Sequence, residues 1–310
     1  MTAVDRRLIA VAPDSRPAMY RDLRRAVAAA GGEVVDIADA SALVWADPGA
    51  AARFPQVLAE GPSVEWVQLP YAGVESFAPN LDDEHVWTCG KGVYADPVAE
   101  HVITLALAGF RFLHTSIPAR SWPPQQGRNL LGASVTVIGS GGITESLLRL
   151  LEPWGTRTTV VRRRDEEMEG AAHTCTLEHV LDAVSTTDLV VLAAALTDET
   201  RGMVDRGFLD AMDANAWLIN VARGGLVVTD DLVDALRADR IAGAALDVTE
   251  PEPLPDGHPL WDLANCIITP HVGNTPEMGL PLLAGRVRKN VERWIAGDEL
   301  IGLVDVRLGY

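Results

Sequence analysis

Apolar and polar positions along this chain alternate between two patterns. Runs of four to six mostly apolar residues are separated by longer stretches in which apolar residues return every three or four positions. The runs read as strands buried on both faces, and the stretches as helices packed against them. Residues 8–12 form the first strand, closed by Pro13-Asp14, and residues 16–30 a helix stopped by Gly31-Gly32. Residues 34–37, 42–45 and 64–69 are the next strands. Over residues 97–114, Val98, His101, Val102, Leu105, Ala106 and Gly109 recur at helical spacing, with Pro97 in the first turn. The Pro- and Gln-rich stretch 121–127 is a surface loop or a domain junction. A second strand series follows at 135–138, 158–161, 189–192, 217–220, 242–246 and 266–268. A helix over about residues 276–296 closes it and ends at Gly297. Such alternation predicts an α/β fold of two doubly wound parallel-sheet domains, roughly residues 1–96 and 97–274. Periodicity alone leaves open which domain takes the last helix.

Charge and cysteine content narrow the function classes. With 26 basic and 43 acidic residues the net charge is −17, which excludes nucleic acid or an anionic membrane as a partner held by a general field. No apolar run approaches the ~20 residues of a membrane span. The first fifteen residues lack the apolar core of a secretory signal. Cys89, Cys175 and Cys266 stand far apart, so neither a disulfide scaffold nor a cysteine metal site is expected, and the cytoplasm is the expected compartment.

Between the strand at 135–138 and the helix after it stands Gly139-Ser140-Gly141-Gly142-Ile143-Thr144. A dinucleotide loop needs this placement. One glycine makes the tight turn, the next lets backbone approach a pyrophosphate, and the helix N terminus offers unpaired N–H groups. Thr144 replaces the third glycine of that fingerprint, which predicts a slightly wider helix–strand contact. The following strand ends in Arg162-Arg163-Arg164. Chains that bind NAD place an acid about there for the ribose 2′-OH, whereas an arginine pairs with a 2′-phosphate. The bland alternative is a solvated turn whose arginines pair with Asp165, Glu166 and Glu167.

Residues 217–231 (WLINVARGGLVVTDD), 243–261 (GAALDVTEPEPLPDGHPLW) and 267–275 (IITPHVGNT) closely resemble the D-isomer-specific 2-hydroxyacid dehydrogenases. Residues 66–74 and 92–101 are similar to that family's substrate-domain loop and interdomain helix. The ending VDVRLGY and the arginine cluster resemble its glyoxylate/hydroxypyruvate reductases. The resemblance implies two Rossmann-like domains, with the cofactor domain (97–275) inserted into the substrate-binding, catalytic domain (1–96 and 276–310). It also implies a homodimer built on the cofactor domain, with the helix from Pro97 and the loop through Trp122 at the interface.

The implied catalytic trio is Arg223, Glu252 and His271, with Glu250 as the competing acid. Implied for the cofactor are Gly139, Gly141, Gly142, Ile143, Arg162, Arg163, Ala195, Val221, Ala222, Arg223, Asp247, His271 and Gly273. Asp247 is placed on the nicotinamide side, and Arg163 is the first choice for a 2′-phosphate contact, ahead of Arg162. Implied for the substrate are Tyr71, Ala72, Gly73, Val74, Arg223 and His271. NADPH is the preferred cofactor and NAD a possible one. The residue types suit reduction of a 2-keto acid. Histidine titrates near neutrality and can deliver a proton to the carbonyl oxygen, a carboxylate beside it orients the ring, and arginine's fork clamps the substrate carboxylate.

Departures from the family pattern are Thr144, Cys89-Gly90-Lys91, and Ala195 in place of a common proline. Glu100 and His101 read as structural or hinge residues. The expected activity is NAD(P)H-dependent reduction of small 2-keto acids, glyoxylate or hydroxypyruvate among them, to D-2-hydroxy acids. The alternatives are a nucleotide-sensing binding protein of the same fold without turnover and a 3-phosphoglycerate dehydrogenase. The second is disfavoured because no extra cations precede Ala72 to meet a phosphate.

Overall fold

A computed structural model describes residues 5–307, so the last three residues of the VDVRLGY ending lie outside the described residues. The chain forms two compact units. One comprises the residues up to Tyr94 together with those from Pro276 onward, and the other is Ala95–Thr275.

The first unit is a five-stranded parallel sheet. Its elements are β1 (Leu8–Ala12), α1 (Pro17–Ala29), β2 (Glu33–Val34), β3 (Ala42–Trp45), α2 (Phe54–Ala59), β4 (Trp66–Gln68) and β5 (Val86–Thr88), in sheet order β2-β1-β3-β4-β5. β1 and β3 are continuous apolar runs of the sequence, and β4 is buried along its length although it carries Gln68, because the sheet is covered on both faces. On one side Trp45, Phe54, Phe77 and Trp87 pack together, with Trp45 and Phe77 both edge-on to Phe54. β2 stops after Val34, and Ile37–Asp39 is a 3-10 turn, so the strand expected over 34–37 is shorter than its apolar content suggests.

The second unit holds α3 (Ala95–Phe110), α4 (Leu113–Ser116), β6 (Ser134–Ile138), α5 (Gly142–Leu151), β7 (Arg157–Val161), β8 (His173–Cys175), α6 (Val180–Val184), β9 (Leu189–Leu192), α7 (Arg206–Ala211), β10 (Trp217–Asn220), α8 (Thr229–Arg237), β11 (Gly243–Leu246) and β12 (Cys266–Ile268). All seven strands are parallel, in the order β12-β11-β10-β9-β6-β7-β8. After β6 the chain builds outward through β7 and β8, then returns to lay β9 on the other side of β6. This reversal makes a topological switch point, the usual place for a ligand crevice in such a sheet.

The unit changes at Tyr94/Ala95, two residues before the expected 96/97. α3 already begins at Ala95, and Pro97 is tolerated because first-turn amides have no helical partner. The expected helix over 97–114 is broken: Phe112 takes a left-handed φ of 52° before the short α4. From Pro276 the chain returns to the first unit as α9 (Pro276–Ala296), which packs on α1 and places Leu283, Val287, Val291 and Trp294 in that unit's core. That settles where the last helix belongs. Among the described residues, no helix is long and apolar enough to cross a membrane.

Candidate active site

The sequence-predicted residues of the second unit collect where its strands end. β6 ends at Ile138, and Gly139 turns the chain with φ 114°. A Cβ at Gly139 would stand 2.5 Å from the Ala193 carbonyl oxygen, just beyond β9, so only glycine lets these two strand ends close up. Gly141 is the N-cap of α5, without a side-chain cap, and a Cβ built on it meets nothing within 4 Å. The result is an open cradle of uncapped N–H groups at a helix N terminus, with the shape and polarity for a pyrophosphate. Thr144 is buried, and its hydroxyl donates to the Gly139 carbonyl at 2.8 Å. It thus ties the helix back to the turn, where a wider contact was expected. Ala195 is exposed in the loop after β9, its carbonyl held by the Thr200 hydroxyl at 2.7 Å.

The three arginines after β7 divide. Arg162 donates to the Glu166 carbonyl at 3.2 Å and lies 3.6 Å from its carboxylate. Arg162 thus pairs with Glu166 across the turn, with its side chain 18% exposed, while Arg163 and Arg164 are exposed.

β10 ends at Asn220, whose buried amide shapes the next loop. Its Oδ1 accepts from the Ala222 N–H at 3.1 Å, and its Nδ2 donates to the Arg223 carbonyl at 2.8 Å. Val221 and Ala222 are buried by this turn, and Arg223 is left extended and half-buried. A Cβ on Gly224 would fall 2.0 Å from the Thr249 carbonyl, so the Arg223 loop and the loop after β11 lie backbone to backbone. Thr229 adds a bond from its hydroxyl to the Glu250 carbonyl at 2.8 Å.

β12 leads to Thr269-Pro270-His271. Nδ1 of His271 lies 2.7 Å from Glu252 Oε1. Of the two competing acids, Glu252 meets the histidine, whereas Glu250 is exposed and held through its main chain. A carboxylate only accepts, so Nδ1 carries the proton of this bond and Nε2 is the atom left for exchange. His271 has a left-handed φ of 53°, a conformation a non-glycine residue keeps only where its surroundings enforce it.

Asp247, directly after β11, supplies that enforcement. It is 3% exposed. Its Oδ1 accepts from the Thr269 hydroxyl at 2.6 Å and the Val272 N–H at 2.8 Å, its Oδ2 from the Gly273 N–H at 2.9 Å, and its carbonyl from the His271 N–H at 2.9 Å. His101, on α3, lies 3.3 Å from Oδ1. Burial opposes ionisation here, but the hydrogen bonds from His101, Thr269, Val272 and Gly273 outweigh it and hold the carboxyl at about 2.

In the first unit, Tyr71-Ala72-Gly73-Val74 follow β4. The Tyr94 hydroxyl donates to the Pro70 carbonyl at 2.6 Å, and the Gly90 N–H to the Tyr71 carbonyl at 2.9 Å. A Cβ on Gly90 would stand 2.6 Å from the Pro70 oxygen, which explains the glycine in Cys89-Gly90-Lys91. The loop is thus held by its carbonyls. The N–H groups of Ala72, Gly73 and Val74 make no hydrogen bond among the described residues. Sequence reasoning missed Asn220, Thr269 and Tyr94. Asn220 is the last residue of its strand and Thr269 the first after its own, the one signal that could have marked them.

The description that matches the chain over residues 102–273 is the D-isomer specific 2-hydroxyacid dehydrogenase, NAD binding domain. The chain is 38% identical to an uncharacterised protein of Corynebacterium melassecola, over 89% of this chain and 92% of that one. It is 35% identical to the human glyoxylate reductase/hydroxypyruvate reductase, over 68% of this chain and 65% of that one. A D-isomer specific 2-hydroxyacid dehydrogenase from Xanthobacter autotrophicus, solved with NADPH and MES, superposes with a TM-score of 0.84 at 26% identity, covering 98% and 99% of the two chains.

The Asp247 carboxyl titrates lower folded than unfolded, so its contribution is complete above about pH 4 and is lost as the pH falls toward 2. Asp247→Asn should remove about 2 kcal/mol of the stability difference between pH 7 and pH 2. Urea unfolding across that range checks it: the acid limb of the wild type should be steeper than that of the variant.

Proposed function

The chain belongs to the D-isomer specific 2-hydroxyacid dehydrogenases, and we propose that it reduces small 2-keto acids, glyoxylate or hydroxypyruvate among them, to D-2-hydroxy acids with NADPH. The observation that carries this reading is the His271–Glu252 pair at 2.7 Å, on the same sheet edge as an open glycine cradle.

The reduced nicotinamide nucleotide supplies the hydride that adds to C2 of the keto acid. Its holders are the α5 N terminus at Gly141, Gly142 and Ile143, the Gly139 turn, Ala195, Val221 and Ala222, with Gly273 alongside. His271 Nε2 gives its proton to the carbonyl oxygen as the C–H bond forms, and Glu252 keeps the ring oriented through Nδ1. Arg223 offers its guanidinium to the substrate carboxylate and to the oxygen that gains charge. In the first unit, the N–H groups of Ala72, Gly73 and Val74, which make no hydrogen bond among the described residues, form a carboxylate cradle next to Tyr71. NADPH is preferred over NADH because arginines stand where an acid would accept the ribose hydroxyl. Arg163 would meet the 2′-phosphate, since Arg162 is engaged by Glu166.

The active form is a cytoplasmic homodimer. Three free cysteines suit a reducing compartment. The segment after α3 carries exposed apolar side chains that a second copy would cover: Leu113, Ile117 at 76% exposure, Trp122 at 90% and Leu131.

Three measurements test this. In NADPH oxidation assays with a keto-acid panel, His271→Ala should lower kcat by ~10²–10⁴-fold with NADPH binding retained. A wild type that binds NADPH but turns over no keto acid would favour the nucleotide-sensing alternative. Arg163→Ala should cut the NADPH/NADH ratio of kcat/KM by about tenfold or more, and Arg162→Ala should change it less. Sedimentation equilibrium should give twice the chain mass, and Trp122→Asp should shift it toward the monomer.

A further inference from the structure

We propose that His101 is a positioning residue for proton transfer: its Nε2–H anchors the Thr269–Asp247 node that fixes the backbone of His271. This rests on the reading of His271 as the proton donor.

Hydrogen-bond accounting assigns the direction. The Thr269 hydroxyl lies 2.6 Å from Asp247 Oδ1 and has one proton to give. The ionised carboxylate only accepts, so that proton goes to Asp247. His101 Nε2 lies 3.1 Å from the same Thr269 oxygen and 3.3 Å from Asp247 Oδ1. Both are acceptors toward it, so Nε2 must carry a hydrogen. His101 therefore closes the node as a donor, from a helix 168 residues away in the chain.

The node grips the His271 loop on both sides. Thr269 is bound before it, Val272 and Gly273 after it, and the His271 N–H itself goes to the Asp247 carbonyl. Between these holds on the carboxylate lie Pro270 and His271; His271 has φ 53°, and its ring reaches Glu252. A Cβ on Gly273 would stand 3.0 Å from Asp247 Oδ2 and 3.5 Å from His101 Cδ2, so the loop is pressed against both. α3 meets the unit's core through Ala99, Val102, Leu105, Ala106 and Phe110. His101 is outside that apolar set, is 15% exposed, and spends its polar atom on the loop. Without the His101 donor, the Thr269 oxygen and one side of a buried carboxylate lose a partner. The loop then relaxes, and a proton donor misplaced by about 1 Å costs on the order of 10²-fold in rate.

The test compares wild type, His101→Leu and His101→Gln. Leucine keeps the bulk without the donor, and glutamine returns an N–H at similar reach. His101→Leu should lower kcat by ~10–100-fold with the Kd for NADPH unchanged, and His101→Gln should recover most of it. The second readout is independent of turnover: the ring Cε1–H NMR signal of His271, assigned from His271→Asn. It should shift and broaden in His101→Leu and stay as in wild type in His101→Gln. Should His101→Leu fail to fold, Thr269→Val breaks the same node and must show the same split. A kcat within twofold of wild type in the donor-less variant, equal losses in Leu and Gln, or an unmoved His271 signal would overturn the inference. If wild type reduces no keto acid while the His271 signal still responds to His101→Leu, the parent reading fails and the positioning role stands.

Discussion

One buried carboxylate organises the chemistry-bearing end of this protein. Asp247 sits where β11 leaves the sheet, and every oxygen it presents is used to hold the segment from Thr269 to Gly273. A buried charge is costly unless hydrogen bonds replace its water. Here they do so well enough to keep the group ionised to about pH 2. The same bonds confine His271 to a left-handed backbone that it would not choose alone. Stability and ring placement therefore depend on a single set of contacts.

The rest of the sheet edge is assembled by close backbone approach, and glycine makes each approach possible. Gly139 lets β6 and β9 converge at the switch point, which leaves the α5 N terminus open beside it. Gly224 lets the Arg223 loop rest on Thr249, three residues before Glu252. Arg223 and Glu252 are thus set by adjoining loops, and Glu252 in turn meets His271. In the first unit the device differs. Tyr94 and Gly90 take the carbonyls of the loop after β4, and the N–H groups of Ala72, Gly73 and Val74 make no hydrogen bond among the described residues.

Much of this architecture was legible in the sequence because parallel strands buried on both faces appear as unbroken apolar runs. β3, β9, β10 and β12 match those runs residue for residue. β5 and β8 were not legible. They are edge strands of three residues, supported by pairing with a neighbour rather than by a hydrophobic pattern of their own. The glycine loop was also visible, since it stands directly after an apolar run, whereas Arg223, Glu252 and His271 lie a few residues beyond their strands and were marked by the resemblance of their motifs.

What the sequence determined by itself was the alternation of elements, the residue types at the strand ends and the arginine cluster after β7. These rest on local periodicity and on groups close together in the chain. Only the tertiary structure decided which of Glu250 and Glu252 meets His271, because both lie in one acidic, proline-rich loop and the choice depends on where Gly224 pins that loop. It also decided that Arg162 is engaged by Glu166 while Arg163 is exposed. It alone gave His101 a partner, since helical spacing places the residue on a face but cannot say what packs there. The donor and the oxygens it serves are brought together only when α3 folds against the loop after β12.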